Sequence, residues 1–248
     1  MDFTEKVLVL RTGRFREADL WVRFLSPSRG IVTAFAFGGC RSRKRFCGCL
    51  DALNHVLLKV SSGKRGTYLC LDEGTLLNGP SRLRSDWGRM GLAANCIKFL
   101  EAMGVGREGA KDAYDLTCGM LEFLEKSDAV PDILPVMFRG RLAFDQGYRI
   151  DPLRCGTCGQ PLADSVETRF LPRDGVFLCA EHSGPHTGGL KMSAETLDAV
   201  RFVQENPPLL WNAIPLSPEG WKQWGRAVDA FIQYHVGLVW DKGRFRKV

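Results

Sequence analysis

The sequence predicts an α+β protein: β-rich in its first third, helical beyond, with a small insert of different character among the helices. Three observations carry this reading. Apolar residues recur with period two up to about residue 80 and at helical spacing afterwards. Paired cysteines and a histidine then interrupt the helical region between residues 152 and 190. With 248 residues, 45% of them apolar and 25% charged, the chain has room for two domains, or two and an insert.

Five short strands are expected in the first third. "VLVLRTGRF" and "ADLWVRFLS" are apolar-rich runs parted by a polar turn, and "GIVTAFAFGG" alternates, with Ile31, Thr33, Phe35 and Phe37 opposite Val32, Ala34 and Ala36. "LNHVLLKV" sets Val56, Leu58 and Val60 on one face, and "SSGKRG" forms a hairpin-type loop before "TYLCLDEG". Five strands of this length suit a small closed barrel of the OB type, because closure removes exposed edges. Near Ser81 the period changes. "LAANCIKFLEAM", "DAYDLTCGMLEFLEK" and "DILPVMFRGRLAFDQGY" read as helices, the last ended by Gly147. "SAETLDAVRFVQE" starts at the N-cap candidate Ser193. "SPEGWKQWGRAVDAFIQYHVGLVW" follows, with Ser217 as N-cap and Pro218 in the first turn. The expected organisation is an OB-fold domain over 1–80, a helical domain over 81–151 and 191–248, and a separate insert over 152–190.

The insert carries the strongest motif. Cys155-x2-Cys158 is followed after twenty residues by Cys179-x2-His182, with a hairpin turning at Asp174-Gly175 between the pairs. Zn²⁺ favours four such ligands in a tetrahedron at about 2.0–2.3 Å, and two-residue gaps put each pair on one tight turn, which Gly156 and Gly159 ease. His186 is a rival fourth ligand; His182 is preferred because its spacing mirrors the first pair. Four protein ligands leave no open position, so one structural zinc ion in a zinc-ribbon-like module is expected, ordering a fold with almost no core of its own.

Charge is unevenly placed. Residues 1–80 hold 13 Lys and Arg against 7 Asp and Glu, and the remainder holds 21 of each, so the whole net charge of +6 sits in the first third. Its densest part is "FGGCRSRKRFCGC", where Arg41, Arg43, Lys44 and Arg45 follow Gly38-Gly39. Adjacent cations repel one another, and a loop holding four of them suits an extended anion such as a nucleic-acid backbone. Arg14, Arg16 and the loop pair Lys64 and Arg65 are expected to assist, and Phe15 or Phe46 to stack bases. Cys40, Cys47 and Cys49 fit no tetrahedral spacing and are expected to be small buried side chains, like Cys70, Cys96 and Cys118. No apolar run approaches the ~20 residues that span a bilayer. The N-terminus carries acids and leads into a strand, so no signal peptide and a cytoplasmic location are expected.

"RFREAD" from Arg14 to Asp19, "GGCRSRKRF" from Gly38 to Phe46, "FRGRLAFDQGY" and the cysteine insert, in this order along nearly the whole chain, resemble the RecO family of bacterial recombination mediators. The resemblance implies an OB domain, a helical domain and a Cys-type zinc module. It implies binding of single- and double-stranded DNA, strand annealing, and loading of the recombinase RecA onto DNA coated by single-stranded-DNA-binding protein, in a bacterial, nucleoid-associated setting. It also implies RecR as a partner and a contact between the helical domain and the acidic C-terminal tail of the coating protein, for which Arg139 and Arg141 are candidates. Cys-x2-His at the second pair departs from the expected Cys-x2-Cys. No G-x4-G-K-[ST] motif and no carboxylate cluster suited to a two-metal nuclease is present, so a non-enzymatic mediator is expected. The readings it competes with are a zinc-stabilised nuclease-like enzyme and a sequence-specific zinc-ribbon transcription regulator.

Overall fold

The computed structural model describes residues 2–63, 66–148, 150–162, 168–184 and 187–248. Two compact units emerge, one of residues 1–87 with 104–121, the other of 88–103 with 122–248.

The first unit is built on five strands: β1 (Phe3–Arg14), β2 (Leu20–Ser26), β3 (Gly30–Ala36), β4 (His55–Ser62) and β5 (Leu69–Asn78). They close into a barrel of order β1-β2-β3-β5-β4, as the period-two pattern predicts. β1 serves two partners, pairing Phe3–Leu8 with β4 and Leu8–Arg14 with β2, and an irregularity between Val9 and Arg11 gives it the bend this requires. Val56, Leu58 and Val60 lie fully inside with Val7, Val22 and Phe24. The alternation in β3 resolves in favour of its smaller side chains: Ala34 and Ala36 face the core, whereas Phe35 and Phe37 do not. Phe24, Phe46 and Leu58 already fill the barrel, so β3 contributes small residues. Removing a buried side chain such as Leu58 by substitution with Ala should cost about 2–5 kcal/mol. The segment 104–121 joins this unit through the amide of Ile31, which donates to the carbonyl of Val105 at 2.9 Å. Gly30, at φ +74°, allows that approach, since a Cβ there would lie 2.3 Å from the carbonyl oxygens of Val105 and Gly106.

Helix α1 (Ser81–Ser85) closes the barrel segment, and α2 (Trp87–Met103) and α3 (Ala110–Lys126) follow. The second unit gathers α4 (Leu134–Asp145), α5 (Ala194–Glu205) and α6 (Pro218–His235) around Phe138, Leu142, Val203, Trp224 and Phe231. Ser217 caps α6, its Oγ accepting from the amide of Gly220 at 3.1 Å. Ser193 occupies the N-cap position of α5, but its hydroxyl pairs with that of Thr196 at 2.9 Å instead of with the backbone.

The insert forms a four-stranded sheet of order β6-β8-β7-β9 from β6 (Asp151–Cys155), β7 (Thr168–Leu171), β8 (Val176–Leu178) and β9 (Leu190–Met192). The turn expected at Asp174-Gly175 is there, with Leu171 opposite Val176. The expectation that the insert has almost no core is corrected. Phe170 and Phe177 pack ring to ring at 4.7 Å and Phe170 reaches Phe231 of α6 at 6.1 Å, so the sheet shares the apolar core of the helices. A second correction concerns the last helix. It stops at His235, Gly237 turns the chain at φ +69°, and residues expected to continue the helix form a hairpin of β10 (Leu238–Asp241) and β11 (Arg244–Lys247). Among the described residues no helix is long and apolar enough to cross a membrane.

Candidate nucleic-acid interface and metal centre

The cationic loop is pinned at both ends and free in the middle. At its start Gly38 adopts φ +68°, and its amide donates to Oδ1 of Asp19 at 2.8 Å, while the amide of Cys40 donates to the carbonyl of Ala18 at 3.0 Å. At its end Phe46, only 4% exposed, plugs the barrel beside Cys49 and Leu50, and the carbonyl of Arg45 accepts from Gly74 at 2.8 Å. Between these anchors Arg41, Arg43, Lys44 and Arg45 are exposed. Among the described residues Arg41, Arg43 and Lys44 make no ion pair. Arg45 is partly engaged, donating to the carbonyl of Phe37 and lying 5.0 Å from the Phe46 ring centroid. Cations at 41, 43 and 44 with no carboxylate partner among the described residues keep their field for an external anion.

Arg14 and Arg16 are also exposed, and the Arg16 guanidinium lies 5.3 Å from the ring centroid of Phe15. Beside these cations sits a cluster of rings. Phe15 is 49% exposed and packs 4.8 Å from Phe35; Phe37 and Tyr68, each 36% exposed, lie 6.3 and 6.0 Å from the same ring. The backbone accommodates Tyr68 through Gly63, where a Cβ would come within 2.3 Å of the phenol ring. Phe15 is therefore an exposed ring beside the cations, whereas Phe46 is a core residue. The sequence signal for Phe37 is the alternation through β3, which sets Phe35 and Phe37 opposite two alanines; no local pattern marks Tyr68, which lies just ahead of β5. Lys64 and Arg65 lie outside the described residues.

The cysteines of the loop divide. Cys40 and Cys47 are exposed, against expectation, and only Cys49 is buried. Burial, reinforced by the neighbouring Cys47 and Asp51, pushes the Cys49 thiol up to about 11 and makes it a poor nucleophile. Cys96 is buried as expected, and Cys70 and Cys118 are half-buried.

In the second unit Cys155, Cys158, Cys179 and His182 come together with their ligand atoms all within 4.8 Å of one another, a group that could hold a metal ion. Strand β6 delivers Cys155, β8 leads into Cys179, and a 3-10 turn over Ala180–His182 returns the imidazole. Gly156 is required because a Cβ there would meet Val176 at 2.6 Å, and Gly159 because it sits at φ +70°. The separations are 3.9 Å between Cys158 and Cys179, 3.8 Å from Cys155 to His182 Nδ1 and 3.2 Å from Cys179 to the same nitrogen. The edge of a tetrahedron with bonds of about 2.3 Å is about 3.8 Å, so the donor set fits a tetrahedral ion. Burial pushes the Cys155 thiol up, but hydrogen bonds from the backbone around Cys179, Cys158 and Thr157 outweigh it and set the group at about 6, where the thiolate form is accessible. His186 lies outside the described residues.

Arg139 and Arg141 are engaged within the helical unit. Arg139 is buried, donating to Asp229 at 2.9 Å and Asn95 at 3.2 Å. Arg141 pairs with Asp145 at 2.9 Å and donates to the carbonyl of Val203 at 2.8 Å.

A closed five-stranded barrel with an exposed cationic loop and exposed rings, followed by a helical unit whose insert brings together a group that could hold a metal ion, defines an α+β protein of two units. Comparison with known proteins gives the family. The model described as Recombination protein O N terminal matches residues 1–79, and that described as Recombination protein O C terminal matches residues 84–244. Relatives named DNA repair protein RecO include one from Oleidesulfovibrio alaskensis, 82% identical over 248 residues, and one from Nitratidesulfovibrio vulgaris, 55% identical over 251 residues. Both are covered over the full length of both chains. A further relative of that name, from Lawsonia intracellularis, is 36% identical over the full length of both chains. The chain belongs to the RecO family of DNA repair and recombination proteins.

Proposed function

We propose that this protein is a non-enzymatic recombination mediator that binds single- and double-stranded DNA, anneals complementary strands and helps load recombinase onto DNA coated by single-stranded-DNA-binding protein. One observation carries the reading: Arg41, Arg43 and Lys44 stand exposed with no ion pair among the described residues, on the same barrel as the ring cluster of Phe15, Phe37 and Tyr68. Cations that neutralise phosphates release counterions. Rings that accept any base add affinity without reading sequence. We read the barrel as an OB-type DNA-binding domain, residues 81–151 and 191–248 as the helical domain, and 152–190 as a zinc-ribbon-like module held by one structural zinc ion on Cys155, Cys158, Cys179 and His182. With four protein donors the ion supplies a fold staple, not a reaction centre.

RecR and the acidic tail of the coating protein are the proposed partners. A tail contact through Arg139 and Arg141 requires a partner carboxylate to displace Asp229 and Asp145, an exchange of like for like. The test of the function is annealing of complementary oligonucleotides, with and without coating protein, over a series of salt concentrations. Annealing that weakens with salt and on combined substitution of Arg41, Arg43 and Lys44 by Ala is expected. Cleavage of DNA by the pure protein with Mg²⁺, or a strong preference for one duplex sequence, would overturn the reading.

A further inference from the structure

The charge asymmetry of the sequence hides a second, local concentration of cations. The last eight residues, "DKGRFRKV", hold Lys242, Arg244, Arg246 and Lys247 against one acid, Asp241. Together with Leu238, Val239 and Trp240 they form the β10–β11 hairpin, and the register sorts the side chains by face. Trp240 opposite Phe245 and Leu238 opposite Lys247 share one face; Val239 opposite Arg246 and Asp241 opposite Arg244 share the other. The first face is docked on α2. Phe245 meets Phe99 at 5.1 Å, Trp240 meets Phe245 at 4.8 Å, and Nζ of Lys98 donates to the carbonyl of Gly243 at 2.8 Å. The second face carries Arg244 and Arg246 outward, about 6.8 Å apart along the strand, roughly one nucleotide step.

Two details show that the tip keeps its charge at some conformational cost. The turn is Lys242-Gly243 with φ of +45° and +81°, a two-residue hairpin loop in which both positions are left-handed. Such turns favour Asn or Asp at the first position, and a lysine is a costlier occupant. Lys242, Arg244 and Lys247 are exposed and make no ion pair among the described residues; only Arg246 is partnered, with Asp241 at 3.0 Å. Beside them Trp240 is 44% exposed, with Nζ of Lys98 5.8 Å from its ring centroid.

We propose that the β10–β11 hairpin is a second phosphate-binding element that holds another nucleic-acid strand, separate from the strand captured by the barrel. The inference rests on the DNA-binding reading above. A two-stranded ribbon is narrow enough to follow a nucleic-acid backbone or enter a groove. Trp240, half-exposed beside the cations, offers an aromatic surface to a base, whereas an acidic peptide would use only the charges. Two independent strand sites on one chain would raise the effective concentration of each strand for the other, which annealing needs and a single site does not supply.

The test uses the full chain, an immobilised oligothymidylate as first strand and a labelled oligothymidylate as second, so that base pairing plays no part. The combined variant Arg244→Ala, Arg246→Ala, Lys247→Ala removes about two unpaired cations, each shifting the salt slope by about 0.7, which at about 0.15 M salt weakens second-strand capture roughly tenfold. First-strand capture should stay within about twofold. Lys242→Asn separates charge from folding: the asparagine suits the left-handed position, so thermal stability should hold or rise while second-strand capture falls roughly fourfold. Second-strand capture equal to the parent in both variants overturns the proposal. So does hydrogen-exchange protection of residues 238–247 by an acidic peptide but not by an oligonucleotide. A parent protein that captures no strand at all defeats the DNA-binding reading and this inference together; one that captures a first strand and never a second defeats only this inference.

Discussion

Combined substitution of Arg41, Arg43 and Lys44 by Ala isolates the electrostatic term, because none of the three makes an ion pair among the described residues and the loop is anchored by Gly38, Phe46 and Gly74 on either side. Each cation set on a single strand releases about 0.7 of a counterion, so removing three should lower the slope of log K against log salt by about 2. The same figure makes the affinity loss salt-dependent: roughly 50-fold at about 0.15 M salt and roughly fourfold at about 0.5 M. Fluorescence anisotropy with a labelled oligonucleotide across that range measures both, and surface substitutions of this kind should leave unfolding within about 0.5 kcal/mol of the parent. A loss that stays constant with salt, or a slope equal to the parent's, would refute the claim that these side chains act by neutralising phosphates.

Four further outcomes are expected. Phe37→Ala or Tyr68→Ala should weaken single-strand binding by about 1–3 kcal/mol per lost stacking contact and affect duplex binding far less; equal losses on both would remove the stacking role, and the comparison is again by anisotropy. Chelation, or Cys179→Ser, should raise hydrogen exchange across residues 155–184 while leaving α4, α5 and α6 protected, because the insert's sheet shares their apolar core; global unfolding would contradict that shared packing. Asp229→Ala removes a charged hydrogen bond from the buried Arg139 and should cost about 2 kcal/mol in urea unfolding; no change would mean the pair contributes nothing to the fold. The fourth concerns pH. Hydrogen bonds from the Ser217 hydroxyl and amide hold the Glu195 carboxyl below its ordinary range. Its stabilising contribution is therefore complete above the unfolded value and is lost as pH falls through the depressed one. Glu195→Gln should lower the unfolding midpoint at neutral pH, and the difference from the parent should vanish in strong acid.

Much of this architecture is legible before any coordinates. The period-two runs mark the five barrel strands, and Ser217 with Pro218 marks the start of α6, because capping chemistry is local. The two paired spacings, Cys155-x2-Cys158 and Cys179-x2-His182, mark the candidate metal centre for the same reason: a two-residue gap is itself a geometric constraint. The loop "RSRK" announces its exposure, since mutual repulsion is a property of neighbours in sequence. What escapes is whatever depends on partners distant in the chain. Both faces of β3 are apolar, and nothing within "GIVTAFAF" says which lies inside; that depends on how much of the barrel Phe24, Phe46 and Leu58 already occupy. Arg139 reads as a free helix cation until Asp229, ninety positions away, is seen beside it.

The chain itself determines which segments become strand or helix, where the four candidate metal ligands are spaced, and where positive charge accumulates, because periodicity, turn chemistry and repulsion act over a few residues. Tertiary structure alone decides that Phe37 and Tyr68 join Phe15 at the surface while Phe46 is swallowed, that the cysteine insert shares a core with its helices, and that the last residues leave α6 to form a cationic hairpin on α2. Each of those outcomes is a competition for limited interior volume among residues far apart in sequence, and that competition is settled only when the whole fold closes.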